Sequence, residues 1–317
     1  MIKDLKTNDV ITGIFVLTKR EVGTTKNGQP YAKLCFEDAS GTLNGVLWDK
    51  LFMLDPFNVG DIVQVSCVIE SYNSALQAKV QGLSKPDPNQ VDLSTLFPSS
   101  KYDVQQMLSE VIELAKSIQD AWLSKLIHCF YSNSDFLKKL RNHPAAKSVH
   151  HAYSGGLLQH TLNVARLTDH ACSIYTESRI NRDLAVTVAL LHDIGKLHEL
   201  QPLPTHEYTM CGNLIGHVIE SQNMVRDACN GIPEFPVELR DLVCHCILAH
   251  HGELEFGSPK VPMCTEALIV HCCDLLDSRV EICDKFYEAN EKTLQQDRVT
   301  PYCNVLGTRL TASYLFE

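Results

Sequence analysis

Apolar and polar positions alternate along the first part of the chain. In Tyr31–Phe36 the residues Ala32, Leu34 and Phe36 share one face, and Tyr31, Lys33 and Cys35 share the other. That is the period-two pattern of a half-buried strand. Ile11–Leu17 is a β-rich run, and Asn27-Gly28 is a hairpin turn signal between the two. After a second turn at Asp38-Ala39-Ser40-Gly41 comes Gly41–Trp48. Val63, Val65, Cys67 and Ile69 then alternate, and Leu76, Ala78 and Val80 fit a last strand. Phe36 and Trp48 are expected in the core. About five short strands with little helix predict a small barrel over residues 1–84.

Residues 85–102 interrupt the pattern with Lys85-Pro86-Asp87-Pro88 and Pro98-Ser99-Ser100, which deny both helix and ladder and predict a linker. From Asp103 the spacing becomes helical. Val104, Met107, Leu108, Val111, Ile112, Ala115 and Ile118 form one apolar stripe, with Asp103 as N-cap. Further helices are predicted near 121–131, 135–142, 156–177, 182–196, 213–228, 238–250 and 263–288. The fold class is therefore multidomain α and β: an N-terminal OB-fold β-barrel over 1–84, a linker over 85–102, and an all-α domain over 103–317.

Composition narrows the partners. The 317 residues are 44% hydrophobic and 21% charged, an ordinary globular mixture, with no apolar run long enough for a transmembrane helix. The first residues lack the apolar stretch of a secretory signal. Thirteen cysteines occur without a Cys-x-x-Cys, and they read as small core residues in a reducing cytoplasm. The net charge is −10, but residues 1–84 hold 8 Lys+Arg against 9 Asp+Glu, so the acid lies in the remainder. A polyanionic substrate would need a bound cation or a local basic patch to approach that half.

The chemistry concentrates at polar groups that interrupt apolar helices. Leu184–Leu191 is apolar nearly all round, hence buried, and runs into His192-Asp193-Ile194-Gly195-Lys196. A buried imidazole and carboxylate are costly unless paired or metal-bound. Gly195 is expected to let the chain turn away at the helix end. His160, His217, His250-His251 and Asp274 interrupt four other apolar faces. Imidazole nitrogen and carboxylate oxygen suit Mn, Fe, Co, Zn or Mg, and helical bundles place such ligands in their cores.

His160, His192-Asp193 and Asp274 resemble, in their order, the HD phosphohydrolase superfamily, and His217 and His250 match the extra histidines of its two-metal members. The strings from His150 to Thr161, Leu191 to Lys196, Gly212 to His217 and His250 to Pro259 resemble the YhaM-type 3′→5′ exoribonucleases, which also carry an N-terminal OB-fold. The resemblance implies an all-α HD domain with two divalent ions, Mn first and Mg, Co or Fe as alternatives. His160, His192, Asp193 and Asp274 would hold one, and Asp193 would bridge to a second held by His217 and His250, with His251 as the alternate. It further implies a metal-activated water that cuts single-stranded RNA, and also single-stranded DNA, stepwise from the 3′ end.

Around this centre, Lys196 either holds a phosphate oxygen or is a solvated helix-end cation. His150 and His151 either touch substrate phosphate or form an exposed loop pair. On the barrel, Tyr31 and Lys33 share a face, with Lys19, Arg20 and Lys26 on the preceding hairpin, a path along which a single strand could stack and track. Three rival readings remain: a phosphohydrolase of a small nucleotide or cyclic dinucleotide, a di-iron oxygenase, and a non-catalytic nucleic-acid-binding protein.

Overall fold

A computed structural model describes residues 1–316 except 26, 49, 73–74, 98–99, 148–150, 152 and 203–206. The expected roles of Lys26 and His150 lie outside the described residues. The chain forms two compact units: residues 1–99, and residues 100–317 with the exception of 202–206.

The first unit is a closed five-stranded barrel of strands β1 (Val10–Thr24), β2 (Pro30–Asp38), β3 (Gly41–Leu47), β4 (Ile62–Tyr72) and β5 (Ala75–Ser84), in the order β1-β2-β3-β5-β4. All pairings are antiparallel except β3 with β5, whose parallel register Asn44↔Gln77 to Val46↔Lys79 closes the sheet. Register shifts at Leu17/Lys19 and at Ser66/Cys67 bend the two long strands that must curl round. Ala32, Leu34 and Phe36 point inward with Leu17, Val63, Val65 and Ile69, so the alternation selects the core. Trp48 departs from the expectation. It is 48% exposed and stacks on Tyr31 with ring centroids 5.3 Å apart. Leu47 already fills the inner position, and the next residue falls on the outer face.

The stretch expected as a linker is not featureless. Its first part carries a helical turn, α1 (Leu93–Leu96), and Leu96 and Phe97 bury against Val16 of the barrel. Two apolar side chains in a proline-rich segment are enough to hold it to a hydrophobic surface.

The second unit holds α2 (Val104–Lys116), α3 (Ala121–Tyr131), α4 (Ser134–Asn142), α5 (Gly156–Ile174), α6 (Arg182–Leu191), α7 (Lys196–Glu199), α8 (Met210–Leu214), α9 (His217–Gly231), α10 (Val237–Leu248), α11 (Thr265–Ala289) and α12 (Glu291–Asp297), then a short hairpin of β6 (Tyr302–Cys303) and β7 (Thr308–Arg309). Asp103 caps α2 by accepting the Gln105 and Gln106 amides. Every residue from Leu184 to Leu191 is buried, so α6 is the central rod about which the others pack. Each such leucine contributes roughly 1.5–3 kcal/mol.

Two expected helices break. The one predicted over 182–196 ends at Leu191, and the Tyr131 hydroxyl donates to the freed Leu190 carbonyl at 2.9 Å. The one predicted over 213–228 divides at Gly216, which takes φ +80°, a value ordinary side chains resist.

Candidate metal centre

The break after α6 creates the centre. His192 and Asp193 sit in the turn between α6 and α7, at the buried end of a rod that cannot move. Gly195 does not supply a left-handed turn; its φ is −64°. Its role is close approach: a Cβ there would overlap the His217 carbonyl and the Ser221 amide of α9. The Gly195 amide also donates to Ser221 Oγ at 2.8 Å, so α9 is held against the His-Asp turn.

Five imidazoles converge with one orientation. In each, Nδ1 faces an acceptor: Asp277 Oδ2 for His160 (2.7 Å), the Ala189 carbonyl for His192 (2.8 Å), Glu199 Oε1 for His217 (2.9 Å), the Ile247 carbonyl for His250 (2.6 Å) and the Phe256 carbonyl for His251 (3.2 Å). A carbonyl or carboxylate requires a proton on Nδ1, which leaves Nε2 as the atom turned inward. His160 Nε2 lies 3.2 Å from His192 Nε2, from Asp193 Oδ2 and from Asp274 Oδ1. Across Asp193, Oδ1 lies 3.5 Å from His217 Nε2 and 3.7 Å from His250 Nε2, while His217 and His251 approach at 3.4 Å. Both His250 and His251 therefore join the cluster, and Asp193 stands between the two halves.

Against burial, Asp193, Asp274 and Asp277 hold the His160 imidazole well above its ordinary value, but two inward atoms have nothing to share. Asp193 Oδ1 and His250 Nε2 are buried without a hydrogen-bond partner among the described residues. Orphan acceptors in this number are costly unless a cation lies among them. Burial opposes ionisation of Asp193, but Lys196 and His192 outweigh it and hold the carboxyl well below the usual range. Asp274 is likewise lowered, chiefly by His160, against burial. Burial and the neighbouring His251 and His192 push the His250 imidazole well below its ordinary value, so it stays neutral and able to ligate.

Lys196 is not a solvated cation. It is buried, with Nζ 2.6 Å from Asp193 Oδ2, and it lines a cavity of about 500 Å³ with Asp193, His217, His251, Asp274 and Arg279. Tyr208 and Phe256, each about half exposed, line the same cavity. His151 differs from its expected place at the substrate. It is 1% exposed, with Nε2 2.8 Å from Asp277 Oδ2 and Nδ1 2.7 Å from the Tyr153 hydroxyl. The Gly155-Gly156 entry to α5 lets this happen, since a Cβ at Gly156 would overlap the His151 carbonyl.

Two supporting carboxylates were not apparent from the sequence. Asp277 binds His160, His151 and the Asn163 amide (2.8 Å). It stands one helical turn beyond Asp274, on the same face of α11, and that spacing was the available signal. Glu199 accepts both the ring Nδ1–H and the backbone N–H of His217. Thr209 is tied to the same place, its amide donating to the Glu199 carbonyl (2.9 Å) and its hydroxyl to the His198 carbonyl (2.6 Å), while Tyr208 bridges to Leu200. Replacing Asp277 with alanine should free the His160 ring and lower metal affinity about 10- to 100-fold. A metal titration of purified Asp277→Ala that matches the native protein would refute that support.

On the described residues three groups can each gather around an ion: His160 with His192 and Asp274; His217 with His250 and His251; and His151 with His160 and Asp277. The third shares His160 through its Nδ1 side and is the supporting layer. Among the described residues, no helix is long and apolar enough to cross a membrane.

The HD domain family model matches residues 157–279, which span the whole centre from His160 to Asp277. The chain is similar to the 3′-5′ exoribonuclease YhaM of Listeria welshimeri, 32% identical over 279 residues that cover 86% of each protein. It is also similar to that of Listeria monocytogenes, 32% identical with 86% of each covered, and of Oceanobacillus iheyensis, 28% identical with 87% of this chain and 86% of the relative covered. The second OB-fold domain of replication protein A from Methanococcus maripaludis aligns with 29% of this chain and 97% of its own at 22% identity, but a TM-score of 0.24 gives that likeness no weight.

Proposed function

The chain belongs to the YhaM-type 3′-5′ exoribonuclease family, and from that membership we propose that it removes nucleotides one at a time from the 3′ end of single-stranded RNA, and also acts on single-stranded DNA. Its HD domain and clustered histidines and aspartates are those of a metal-dependent phosphohydrolase. The observation that carries the reading is the pair of orphan acceptors, Asp193 Oδ1 and His250 Nε2, facing across 3.7 Å in a ring of inward Nε2 atoms. That donor set fits two divalent ions: one with His160, His192, Asp193 and Asp274, the other with Asp193, His217, His250 and His251. Manganese is our first choice, because mixed imidazole and carboxylate ligands suit it. Bound there, the ions supply Lewis acidity that offsets the phosphodiester charge and activates water.

The chain's own groups do the rest. Asp193 fixes the Lys196 ammonium at the cavity wall, where it can hold a non-bridging phosphate oxygen. Arg279 offers a second cation on the same wall. Tyr208 and Phe256 present rings on which a terminal base can stack. A cavity of about 500 Å³ is of the size that holds a small ligand such as one nucleotide. The free state of all thirteen cysteines supports a reducing, cytoplasmic setting.

The exposed Tyr31–Trp48 stack, with Lys33 on the same outer face, supports a strand-holding role for the barrel. Trp48→Ala in the full chain should weaken binding of a labelled single-stranded oligonucleotide by about 1–3 kcal/mol, roughly 5- to 150-fold. Fluorescence anisotropy showing an unaltered Kd would remove this face from the path. The activity itself is tested with a 5′-labelled single-stranded RNA, first with metal stripped and then with Mn restored. A ladder shortening from the 3′ end only when Mn is present supports the reading. Intact RNA beside hydrolysed mononucleotide or cyclic dinucleotide would replace it with a small-nucleotide phosphohydrolase.

A further inference from the structure

Away from the metal centre, two sulfurs meet. Cys246 Sγ on α10 lies 3.5 Å from Cys264 Sγ. Cys246 is fully buried, whereas Cys264 is partly exposed and is the N-cap of the 25-residue helix α11. The two thiols are unlike. The hydrogen bond from Cys246 draws the Cys264 thiol down to about 7, aided by the Ala267 backbone amide in the first turn and opposed by burial. The same bond, with burial, pushes the Cys246 thiol up. Burial raises the thiols of Cys67 and Cys172 to about 11 and of Cys229 to about 12, so none of them is the thiolate that would meet peroxide first.

We propose that Cys264 and Cys246 are a peroxide-reactive pair that forms a reversible disulfide between α10 and α11. In the first step the Cys264 thiolate attacks one oxygen of hydrogen peroxide, the O–O bond breaks, and hydroxide leaves behind a sulfenic acid. In the second, the Cys246 sulfur attacks the Cys264 sulfur, and the hydroxyl departs as water with the Cys246 proton. Two thiols lose two electrons, and one peroxide becomes two waters.

The disulfide has a structural consequence. The sulfurs must close from 3.5 Å to about 2.05 Å, so the first turn of α11 is drawn toward α10. The end of α10 leads into His250 and His251, and α11 carries Asp274, with His271 donating from Nδ1 to the His250 carbonyl at 2.9 Å. Oxidation therefore strains the join between two groups of the centre and lowers hydrolysis.

The test uses the full-length, Mn-loaded protein, reduced, desalted and treated with hydrogen peroxide, with remaining thiols then alkylated. Non-reducing peptide mapping should find tryptic peptide 241–260 joined to 261–279, with fragment sequencing placing the bond at Cys246 and Cys264. Two alkyl adducts should be lost and then regained after dithiothreitol. Cys264→Ser should abolish the link and protect hydrolysis from peroxide. Alkylated thiols at both positions after peroxide, over-oxidised Cys264 without a link, or the same joined peptides in Cys264→Ser would each overturn the proposal. The wild-type map alone decides the case if the variant does not fold.

Discussion

Asp193→Asn is expected to lower hydrolysis by about a thousandfold or more while the helical unit stays folded. Its carboxylate reaches both halves of the centre: Oδ2 meets His160, His192 and Lys196, and Oδ1 faces His217 and His250. The carboxylate is buried and ionised, so its negative charge acts in a medium that screens it poorly. Asparagine keeps the shape and still presents an oxygen to Lys196, but it removes the charge that both proposed ions share. Alanine is the poorer probe. It would strand Lys196 as an unpaired buried cation, at a cost of about 3–5 kcal/mol, and confound activity with stability. Circular dichroism should show native helicity for Asp193→Asn, and metal analysis should show a depleted centre. Turnover close to that of the native protein would sink the assignment of Asp193.

Removing the metal from the native protein should abolish hydrolysis and also loosen the fold. Without cations, the carboxylates of Asp193 and Asp274 are offset by Lys196 and the His160 imidazole in contact with them, and Asp193 Oδ1 and His250 Nε2 are left without a partner among the described residues. Any ion that binds the folded centre and not the unfolded chain stabilises it, by about 2.7 kcal/mol at a hundred times its Kd. For a unit of this size that corresponds to a rise in Tm of roughly 5–10 °C. Differential scanning calorimetry of chelator-treated protein, before and after Mn is added, reads the shift directly. Elemental analysis should return two ions per chain, and His217→Ala should retain one. A stripped protein that melts where the loaded one does, or that hydrolyses RNA as fast, would count against a metal centre here.

Much of this was legible because it obeys a period. The strand alternation of Ala32, Leu34 and Phe36 fixed the barrel interior, and the unbroken apolar run before His192 announced a buried rod ending in charge. His160, His217, His250-His251 and Asp274 stood out because each interrupts an apolar helical face. What escaped notice depends on partners distant in the chain. Asp277 meets His160 across a separation of 117 residues, and its only local mark is its place one helical turn beyond Asp274. Glu199 is similar, since its partner begins another helix. His151 looked like a loop residue because the double glycine that folds it under α5 reads equally well as a flexible turn. Trp48 is a different case. Its parity placed it on the outer face, and its size suggested the core; parity prevailed because Leu47 already occupied the interior.

Hydrogen bonds that run from Thr209 through Glu199 to His217 link the cavity wall to a proposed metal ligand. Tyr208 stands at one end of that link and His217 at the other. A base pressed against Tyr208 is then expected to disturb the imidazole, and a displaced imidazole to disturb the wall. Substrate affinity and metal affinity are therefore expected to change together if base and ion bind as proposed. A KM measured below metal saturation would report both, and substitutions at Thr209, which touch neither nucleotide nor ion, would change the two together.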